Sequence, residues 1–174
     1  MNYHIEEMIS GQELQGRITE LANRINVDYV GRELHVISIL KGSVFFACEL
    51  LKQITVPVTM DFMQVSSYGN NMVSAGEITV MKDLEEDITG RDVLIIEDII
   101  DTGNTLFHLR NLLLTRNPQS LKIITLLDKT DCRTVEIVPD YCGFQIPDKF
   151  VVGYGLDYAQ KHRNLPYIGA IIQD

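Results

Sequence analysis

Positively charged side chains are scarce in this sequence. Its 174 residues include 15 Lys and Arg against 24 Asp and Glu, which gives a formal net charge of −9. Proteins that neutralise the phosphates of DNA or RNA usually present a basic face. The deficit therefore argues against a nucleic-acid partner. Any phosphate site must be local, built from a few Lys or Arg side chains, backbone N–H groups and metal.

Cysteine is also rare, and long apolar segments are missing. Cys48, Cys132 and Cys142 are odd in number, lie far apart and form no Cys-x-x-Cys pair. We interpret all three as reduced residues of a cytoplasmic protein, without disulfides or a zinc site. The N-terminal segment is acidic, and neither a signal peptide nor a membrane span is expected. A length of 174 residues fits one domain, so residues 1–174 are expected to form a single domain, and no internal repeat or low-complexity tract stands out.

The most informative stretch combines an apolar run, two acids and a loop of small residues. Val93–Ile96 is short, unbroken and rich in β-branched residues, which is typical of a central strand in a parallel sheet. Glu97 and Asp98 follow at the point where this strand is expected to emerge into solvent. After two more apolar residues, the loop Asp101-Thr102-Gly103-Asn104-Thr105 leads into a helical pattern of leucines.

A strand, a loop and a helix start in this order favour anion binding. Backbone N–H groups and the positive end of the helix dipole point toward the ligand there. The neighbouring carboxylates would repel a phosphate unless they hold a metal ion or the hydroxyls of a sugar. A ligand with a phosphate at one end and a polyol beside it satisfies both groups.

Two other interpretations of this stretch are weaker. Apolar residues followed by two acids also occur in P-loop ATPases, but the chain contains no Gly-x-x-x-x-Gly-Lys-Ser/Thr sequence, and Lys41-Gly42-Ser43 has the wrong order. A surface acidic turn would account for a lone pair of acids. It does not account for the whole run from Val93 to Thr105.

Local patterns predict the other helices and strands. Ser10 and Glu13 form a capping box, which predicts a helix from about residue 11. Glu33–Leu40 predicts a strand that ends at Lys41-Gly42-Ser43, and the helical pattern after this turn makes it a second, weaker anion site. His35 is interpreted as a satisfied, half-buried side chain rather than a catalyst. Further strands are predicted over Val58–Val65, Ile78–Met81, Leu121–Leu127, Phe150–Tyr154 and Tyr167–Ile172, and a helix over Asn104–Arg116.

Two polar positions allow both a functional and an ordinary interpretation. Lys129 follows the strand Leu121–Leu127, and open α/β sheets bind ligands at the carboxyl ends of their strands. A solvated surface lysine is the commoner alternative. The polar segment Ser66–Ala75, taken alone, favours a disordered connection, whereas Tyr68 beside Ser67 could close over a site as a lid.

Taken together, these segments resemble the hypoxanthine phosphoribosyltransferase branch of the type I phosphoribosyltransferases. The likeness extends from about Leu40 to Arg163. Its C-terminal block is the most discriminating, because it is similar to 6-oxopurine enzymes rather than to adenine, orotate or uracil enzymes. Asn104 departs from the pattern, since many relatives carry Lys or another residue there, and little effect is expected. The matching blocks are Leu40–Gly42, Ser66–Gly69, Glu97–Thr105, Leu126–Thr130 and Ile146–Tyr158.

The resemblance implies a fold and an activity. The expected fold is α/β, with an open, twisted, mostly parallel sheet flanked by helices and a small hood formed by the N- and C-terminal segments. The expected reaction is the Mg²⁺-dependent transfer of the 5-phosphoribosyl group from phosphoribosyl diphosphate (PRPP) to N9 of hypoxanthine, with guanine left open as a second base. The products of this purine-salvage reaction would be IMP or GMP and pyrophosphate. A homodimer or homotetramer without nucleic-acid or membrane partners is expected, and the Leu40–Lys41 peptide can be cis.

The resemblance also implies a role for each candidate site residue. Asp101 is the expected general acid/base near the purine N7. Lys129 would donate to the purine O6, which selects 6-oxopurines because an ammonium group cannot accept a hydrogen bond from an amino group. The other expected contacts are the 5′-phosphate at Asp101, Thr102, Gly103, Asn104 and Thr105; the ribose hydroxyls and metal at Glu97 and Asp98; a second Mg²⁺ at Asp157 through water; the pyrophosphate at Lys41, Gly42 and Arg163; the purine at Phe150 and the Val151 backbone; and a lid at Ser67 and Tyr68.

Two competing classes of function predict different behaviour. A regulatory protein could keep this fold and sense a nucleotide or bind RNA, although Asp101, Lys129 and the acidic charge argue against it. An α/β signalling domain could use the acids for Mg²⁺ and become phosphorylated at an aspartate. That alternative leaves the loop Asp101–Thr105 unexplained.

Overall fold

Six strands form the main sheet of the computed structural model, which describes residues 2–67 and 78–173. Their order is β4-β3-β2-β5-β6-β7, and every neighbouring pair is parallel except β3 and β4. The strands are β1 Tyr3–Ile9, β2 Leu34–Ile39, β3 Val58–Ser67, β4 Ile78–Lys82, β5 Asp92–Ile100, β6 Ser120–Asp128, β7 Tyr141–Gln145, β8 Val151–Val152 and β9 Ile168–Gln173; the α-helices are α1 Gly11–Asp28, α2 Val44–Leu51 and α3 Asn104–Leu114.

Strand β5 lies between β2 and β6, as the apolar run Val93–Ile96 predicts. The expectation that the strand emerges into solvent at the two acids is wrong, because β5 continues through them. Ile99 and Ile100 pair with residues of β6, which extends the strand. Glu97 is consequently buried, with 9% of its surface exposed.

Helix α1 follows the predicted capping box. The Ser10 hydroxyl accepts a hydrogen bond from the Glu13 amide, and Glu13 Oε2 accepts one from the Ser10 amide at 2.9 Å. These bonds satisfy N–H groups that a helix N-terminus leaves unpaired. The apolar side of the helix is fully buried and consists of Leu14, Ile18, Leu21, Ala22 and Ile25.

The N- and C-terminal segments form a separate antiparallel sheet in the order β1-β9-β8, which is the expected hood. The prediction of a strand over Phe150–Tyr154 is wrong in its length, since only Val151 and Val152 pair with β9. Tyr154 has a φ of +50°, a left-handed conformation that ends an extended segment. Strands β1 and β7 were not predicted from local patterns.

Two apolar clusters cover the two faces of the main sheet. Helices α1 and α2 pack on one face, and α3 packs on the other. Val151, Leu156 and Ile168 of the hood region belong to the first cluster, so the hood and the main sheet share one core. No helix in the described ranges has both the length and the apolar character needed to span a membrane.

Candidate active site

The candidate site lies where β2, β5 and β6 end. Because these strands are parallel, their carboxyl ends meet at one edge of the sheet, which is where open α/β folds bind ligands. The connections that follow them contain Lys41–Ser43, Asp101–Gly103 and Lys129. The C-terminal segment 153–163 closes the same edge, because Gly155 lies against the backbone carbonyl of Gly42.

The loop after β5 surrounds a cavity of about 130 Å³ at the start of α3. Gly103 caps the helix with a φ of +85°, a conformation that glycine adopts at little cost. The predicted phosphate-loop residues except Asn104 meet here, together with the first of the two acids. The cavity is lined by Glu97, Ile99, Ile100, Asp101, Thr102, Gly103, Thr105 and Leu106.

Asn104 contacts the protein around the loop rather than the cavity. Its Nδ2 lies 3.0 Å from Thr134 Oγ1 and 3.4 Å from Thr102 Oγ1. Its backbone N–H donates to Thr102 Oγ1 at 3.4 Å. The side chain of Asn104 therefore stabilises the loop from behind, which is consistent with the expectation that this departure from the family pattern has little effect.

A segment that the sequence analysis missed fixes the loop in place. The Thr134 amide donates to the Thr102 carbonyl at 3.0 Å, and Arg133 Nη1 donates to the Asp101 carbonyl at 2.6 Å. Arg133 is itself held by an ion pair with Asp128 at the end of β6. A Cβ atom added to Gly103 would lie 2.7 Å from Ile137 Cγ2, so this segment requires glycine at the cap.

The two acids of β5 are neighbours, with Glu97 buried and Asp98 half-buried. Burial and the neighbouring charge of Asp98 raise the pKa of Glu97 well above its usual range. Burial also raises the pKa of Asp98, against the opposing effects of the Ile99 amide and the positive charge of Arg163. Two adjacent buried carboxylates are unfavourable when both are ionised, and a bound cation or donated hydrogen bonds would relieve the cost.

The turn after β2 lies directly against Asp98. The Leu40–Lys41 peptide bond is cis, as the family resemblance allows. A side chain at Gly42 would overlap the Asp98 carboxylate, so glycine is required for this contact. Ser43 is buried and donates to the Ile39 carbonyl at 2.6 Å, which ties the turn to the end of its strand. Lys41 is exposed.

Asp157 and Arg163 form a close ion pair, with 2.6 Å between Oδ1 and Nη2. The other oxygen of Asp157 accepts from the Gln160 amide at 2.7 Å, and Arg163 Nη1 donates to the Gly155 carbonyl at 2.7 Å. Asp157 also raises the pKa of Asp98 through its charge, and so belongs to the same electrostatic environment.

Across residues 2–67 and 78–173, no group of three or more His, Cys, Asp or Glu side chains is arranged to hold a metal ion.

Lys129 is a buried lysine rather than a solvated surface residue. Only 8% of its side chain is exposed, and its Nζ lies 3.1 Å from Asp148 Oδ1 and 3.7 Å from Asp101 Oδ2. Its backbone N–H donates to the Ile100 carbonyl at 2.9 Å, which places it next to the end of β5. Asp101 thus lies between the loop cavity and Lys129, although its own side chain is 55% exposed.

Phe150 presents an exposed ring at the edge of the hood. It makes an edge-to-face contact with Tyr158, with 5.4 Å between ring centroids, and Tyr158 makes a similar contact with Tyr3. These three aromatic residues line a cavity of about 200 Å³. Val151, the next residue, is buried and pairs with Ala170 of β9. The hood therefore holds the two residues that the family resemblance assigns to the purine.

Two further predicted positions have different outcomes. His35 is fully buried rather than half-buried: its Nδ1 lies 2.8 Å from Thr59 Oγ1, while its Nε2 has no hydrogen-bond partner in the described part of the chain. The satisfied, half-buried interpretation is therefore wrong in both respects. Ser67 is the last residue of β3, and Tyr68, the other predicted lid residue, lies outside the described residues.

The chain is similar to proteins of known family. The model of the phosphoribosyl transferase domain matches residues 4–159. The hypoxanthine-guanine phosphoribosyltransferase of Bacillus subtilis is 49% identical over 172 residues, covering 98% of this chain and 96% of that protein. The bifunctional protein TilS/HprT of Listeria monocytogenes is 52% identical over 164 residues, which are 94% of this chain. The match spans only 25% of the Listeria protein, so this chain corresponds to about a quarter of that relative.

A solved structure gives the same result. The crystal structure of a hypoxanthine-guanine phosphoribosyltransferase from Bacillus anthracis superposes with a TM-score of 0.93 at 43% identity, covering 99% of this chain and 100% of that one. The agreement includes the parallel sheet and the hood. The chain therefore belongs to the phosphoribosyl transferase family, in the branch of the hypoxanthine and hypoxanthine-guanine phosphoribosyltransferases.

Proposed function

We propose that this chain catalyses the Mg²⁺-dependent transfer of the 5-phosphoribosyl group from PRPP to N9 of hypoxanthine, and of guanine as a second base. The products are IMP or GMP and pyrophosphate, and the reaction serves purine salvage. One observation carries the proposal: Asp101 lines the loop cavity and also lies 3.7 Å from the buried ammonium of Lys129. A purine whose N7 and O6 edge contacts these two neighbouring groups would have its N9 side facing a ribose whose phosphate occupies the loop.

The loop Thr102–Thr105 is proposed to bind the 5′-phosphate. Backbone N–H groups at the start of α3 and the threonine hydroxyls can donate to a phosphate, and the helix dipole adds favourable charge. Glu97 lines the same cavity and would accept hydrogen bonds from the ribose hydroxyls. The loop is already held from behind by Thr134 and Arg133, so little ordering is needed when the phosphate binds.

The pyrophosphate is proposed to lie on the other side of Asp98. Gly42 is in contact with the Asp98 carboxylate, and Arg163 is near enough to lower the pKa of that group. The backbone N–H groups of the turn, the exposed Lys41 and the Arg163 guanidinium together can balance the charge of the leaving group. Arg163 would exchange part of its ion pair with Asp157 for the pyrophosphate.

The base contacts explain a preference for 6-oxopurines. N7 and O6 lie next to each other on the same edge of the purine. Asp101 can hold or move a proton at N7, while Lys129 donates to O6 and cannot accept from the amino group of adenine. Phe150 would stack on the ring, and the backbone of Val151 would face N1 and the 2-position. Ser67 and Tyr68 are proposed to cover the site as part of a lid.

The residues around Asp98 fit a role for Mg²⁺. Mg²⁺ is usually held by one or two carboxylates together with water and substrate oxygens, and the adjacent Glu97 and Asp98 provide such an oxygen-only set. Asp157 already pairs with Arg163, so it would act on a second ion through water. When bound, Mg²⁺ supplies charge that neutralises the departing pyrophosphate. Glu97 and Asp98 hold the ribose hydroxyls in place while positive charge develops at C1′.

A kinetic comparison tests the proposal. We expect pyrophosphate release from PRPP with hypoxanthine and guanine, none with adenine, and loss of all activity when EDTA removes divalent cations. The variant Lys129→Met should impair turnover with the 6-oxopurines, because it removes the donor to O6. Absence of turnover with every 6-oxopurine at saturating Mg²⁺ would refute the proposed function.

Three further parts of the proposal concern the whole chain. Residues 1–174 form a single domain, supported by the core that the hood shares with the main sheet. The protein assembles as a homodimer or homotetramer, supported by the exposed apolar cavity of about 490 Å³ around Phe45 and Tyr154, and light scattering would test this. A cytoplasmic location is supported by the three free cysteines.

A further inference from the structure

Asp148 contacts the lysine to which the proposed function assigns the purine O6. Its Oδ1 accepts a hydrogen bond from Lys129 Nζ at 3.1 Å. Lys129 follows β6, whereas Asp148 lies in the connection between β7 and β8, two residues before Phe150. The ion pair therefore joins the two parts of the chain that supply the proposed base contacts.

The backbone and the aliphatic part of Lys129 are already held in place. Asp148 therefore determines only the direction of the ammonium group. The backbone N–H donates to the Ile100 carbonyl at 2.9 Å, and the backbone carbonyl accepts from the Cys132 amide at 3.0 Å. The side chain is almost entirely buried. Asp101 lies 3.7 Å from Nζ, which is beyond hydrogen-bond distance, so Asp148 is the carboxylate that directly orients the ammonium group.

The charges around Lys129 support this role. The hydrogen bond from Lys129 and the positive charge of that residue lower the pKa of Asp148, and a hydrogen bond from the Cys132 thiol adds to the effect. Asp148 is therefore ionised at neutral pH. Because 73% of its side chain is exposed, the ion pair should contribute little to stability, and its effect is to be sought in the placement of Lys129.

Counting donors shows what this placement achieves. An ammonium group has three N–H donors. Asp148 uses one of them and Asp101 lies beyond hydrogen-bond distance, so donors remain for a carbonyl oxygen of the ligand. Without Asp148, the ammonium would move toward Asp101, the nearest remaining carboxylate. That movement would turn the unused donors away from the base and pair Lys129 with the proposed acid/base.

We propose that Asp148 is a positioning residue that aims the Lys129 ammonium at O6 of a 6-oxopurine, and that it thereby contributes to base specificity. This inference rests on the proposed function. It concerns a residue that touches neither the phosphate loop nor the ribose site, and so it makes separate predictions.

The first test is kinetic and uses Asp148→Asn, which keeps the shape and one acceptor oxygen but removes the charge. The KM for hypoxanthine should rise about 3- to 10-fold, because the Lys129 side chain is no longer held in the orientation that binds the base and must be ordered when the base binds. The KM for PRPP and the melting temperature should not change, and Asp148→Glu should restore part of the loss. The control is Asp131→Asn, the same charge change at an exposed position two residues from Lys129. An unchanged KM for hypoxanthine in an active Asp148→Asn enzyme would overturn the inference.

The second test does not depend on turnover. In ¹⁵N-labelled protein without ligand, the Nζ signal of Lys129 can be assigned by its loss in Lys129→Met. We expect this signal to be protected from solvent exchange in the original chain and in Asp131→Asn. In Asp148→Asn the protection should be lost. The same protection in Asp148→Asn would overturn the inference even in an active enzyme. Failure of the original chain to turn over any 6-oxopurine would instead refute the proposed function.

Discussion

Replacing Gly103 by alanine should damage both the stability of the fold and the phosphate loop. Gly103 has a φ of +85°, and the left-handed conformation costs a residue with a Cβ atom about 1–2 kcal/mol. The new Cβ would also lie 2.7 Å from Ile137 Cγ2 and 2.9 Å from Arg133 Cδ. Ile137 is buried and Arg133 is held by Asp128 and the Asp101 carbonyl, so neither can move freely. Such overpacking adds about 1–3 kcal/mol.

The sum predicts a loss of about 2–5 kcal/mol in the free energy of unfolding. Gly31→Ala is the matched control, because Gly31 has a similar φ of +74° but no heavy atom within 4 Å of an added Cβ. It should lose only the backbone part, about 1–2 kcal/mol. The difference between the two variants therefore isolates the contact with the segment behind the loop.

Urea unfolding measures both losses, and calorimetric titration with IMP measures the effect on the loop. We expect weaker IMP binding in Gly103→Ala and unchanged binding in Gly31→Ala. Equal stability losses in the two variants would refute the argument that the segment around Ile137 fixes the phosphate loop. Unchanged IMP binding in Gly103→Ala would refute the assignment of this loop to the phosphate.

Two further predictions separate catalysis from binding and describe the response to pH. Asp101→Asn should lower kcat by roughly 10²–10⁴-fold, the usual effect of removing a general acid/base, with little change in PRPP affinity, whereas Asp98→Asn should weaken PRPP and Mg²⁺ binding; equal effects on both parameters would contradict these roles. Burial and the charge of Arg91 lower the pKa of His35 in the folded chain. As the pH falls, the His35 ring is therefore protonated in the unfolded chain before it is protonated in the folded one. The associated stability is present above the unfolded pKa of about 6.5 and is lost as the pH falls below it. Urea unfolding between pH 7.5 and 5.5 should show this loss, which His35→Asn should reduce; an identical slope in the variant would exclude His35 as its source.

Local patterns predicted the strands β2, β3, β4, β5, β6 and β9, the helices α2 and α3, and the N-terminus of α1. The signal is clearest where a strand is buried on both faces, as in β2 and β5, and at the capping box of α1. The burial of Glu97 could not be predicted, because it follows from the pairing of Ile99 and Ile100 with β6. That pairing joins residues distant in sequence and leaves no local signal.

The family resemblance named the candidate site residues, and the structure brings most of them to one edge of the sheet. It did not reveal the residues that hold them in place. Arg133 donates to the carbonyl of Asp101, a residue 32 positions away, and every residue type offers such a carbonyl. Asp148 was hidden for another reason: an exposed aspartate between Pro147 and Lys149 has the composition of an ordinary turn.

The position of the 5′-phosphate in a complex with IMP decides whether the loop after β5 is the phosphate site. A crystal structure of this complex should place the 5′-phosphate in the cavity at the start of α3, bound by the backbone N–H groups of Thr102–Thr105, with the ribose hydroxyls at Glu97 and Asp98. A phosphate bound instead at the turn Lys41–Ser43, or outside this edge of the sheet, would contradict this assignment.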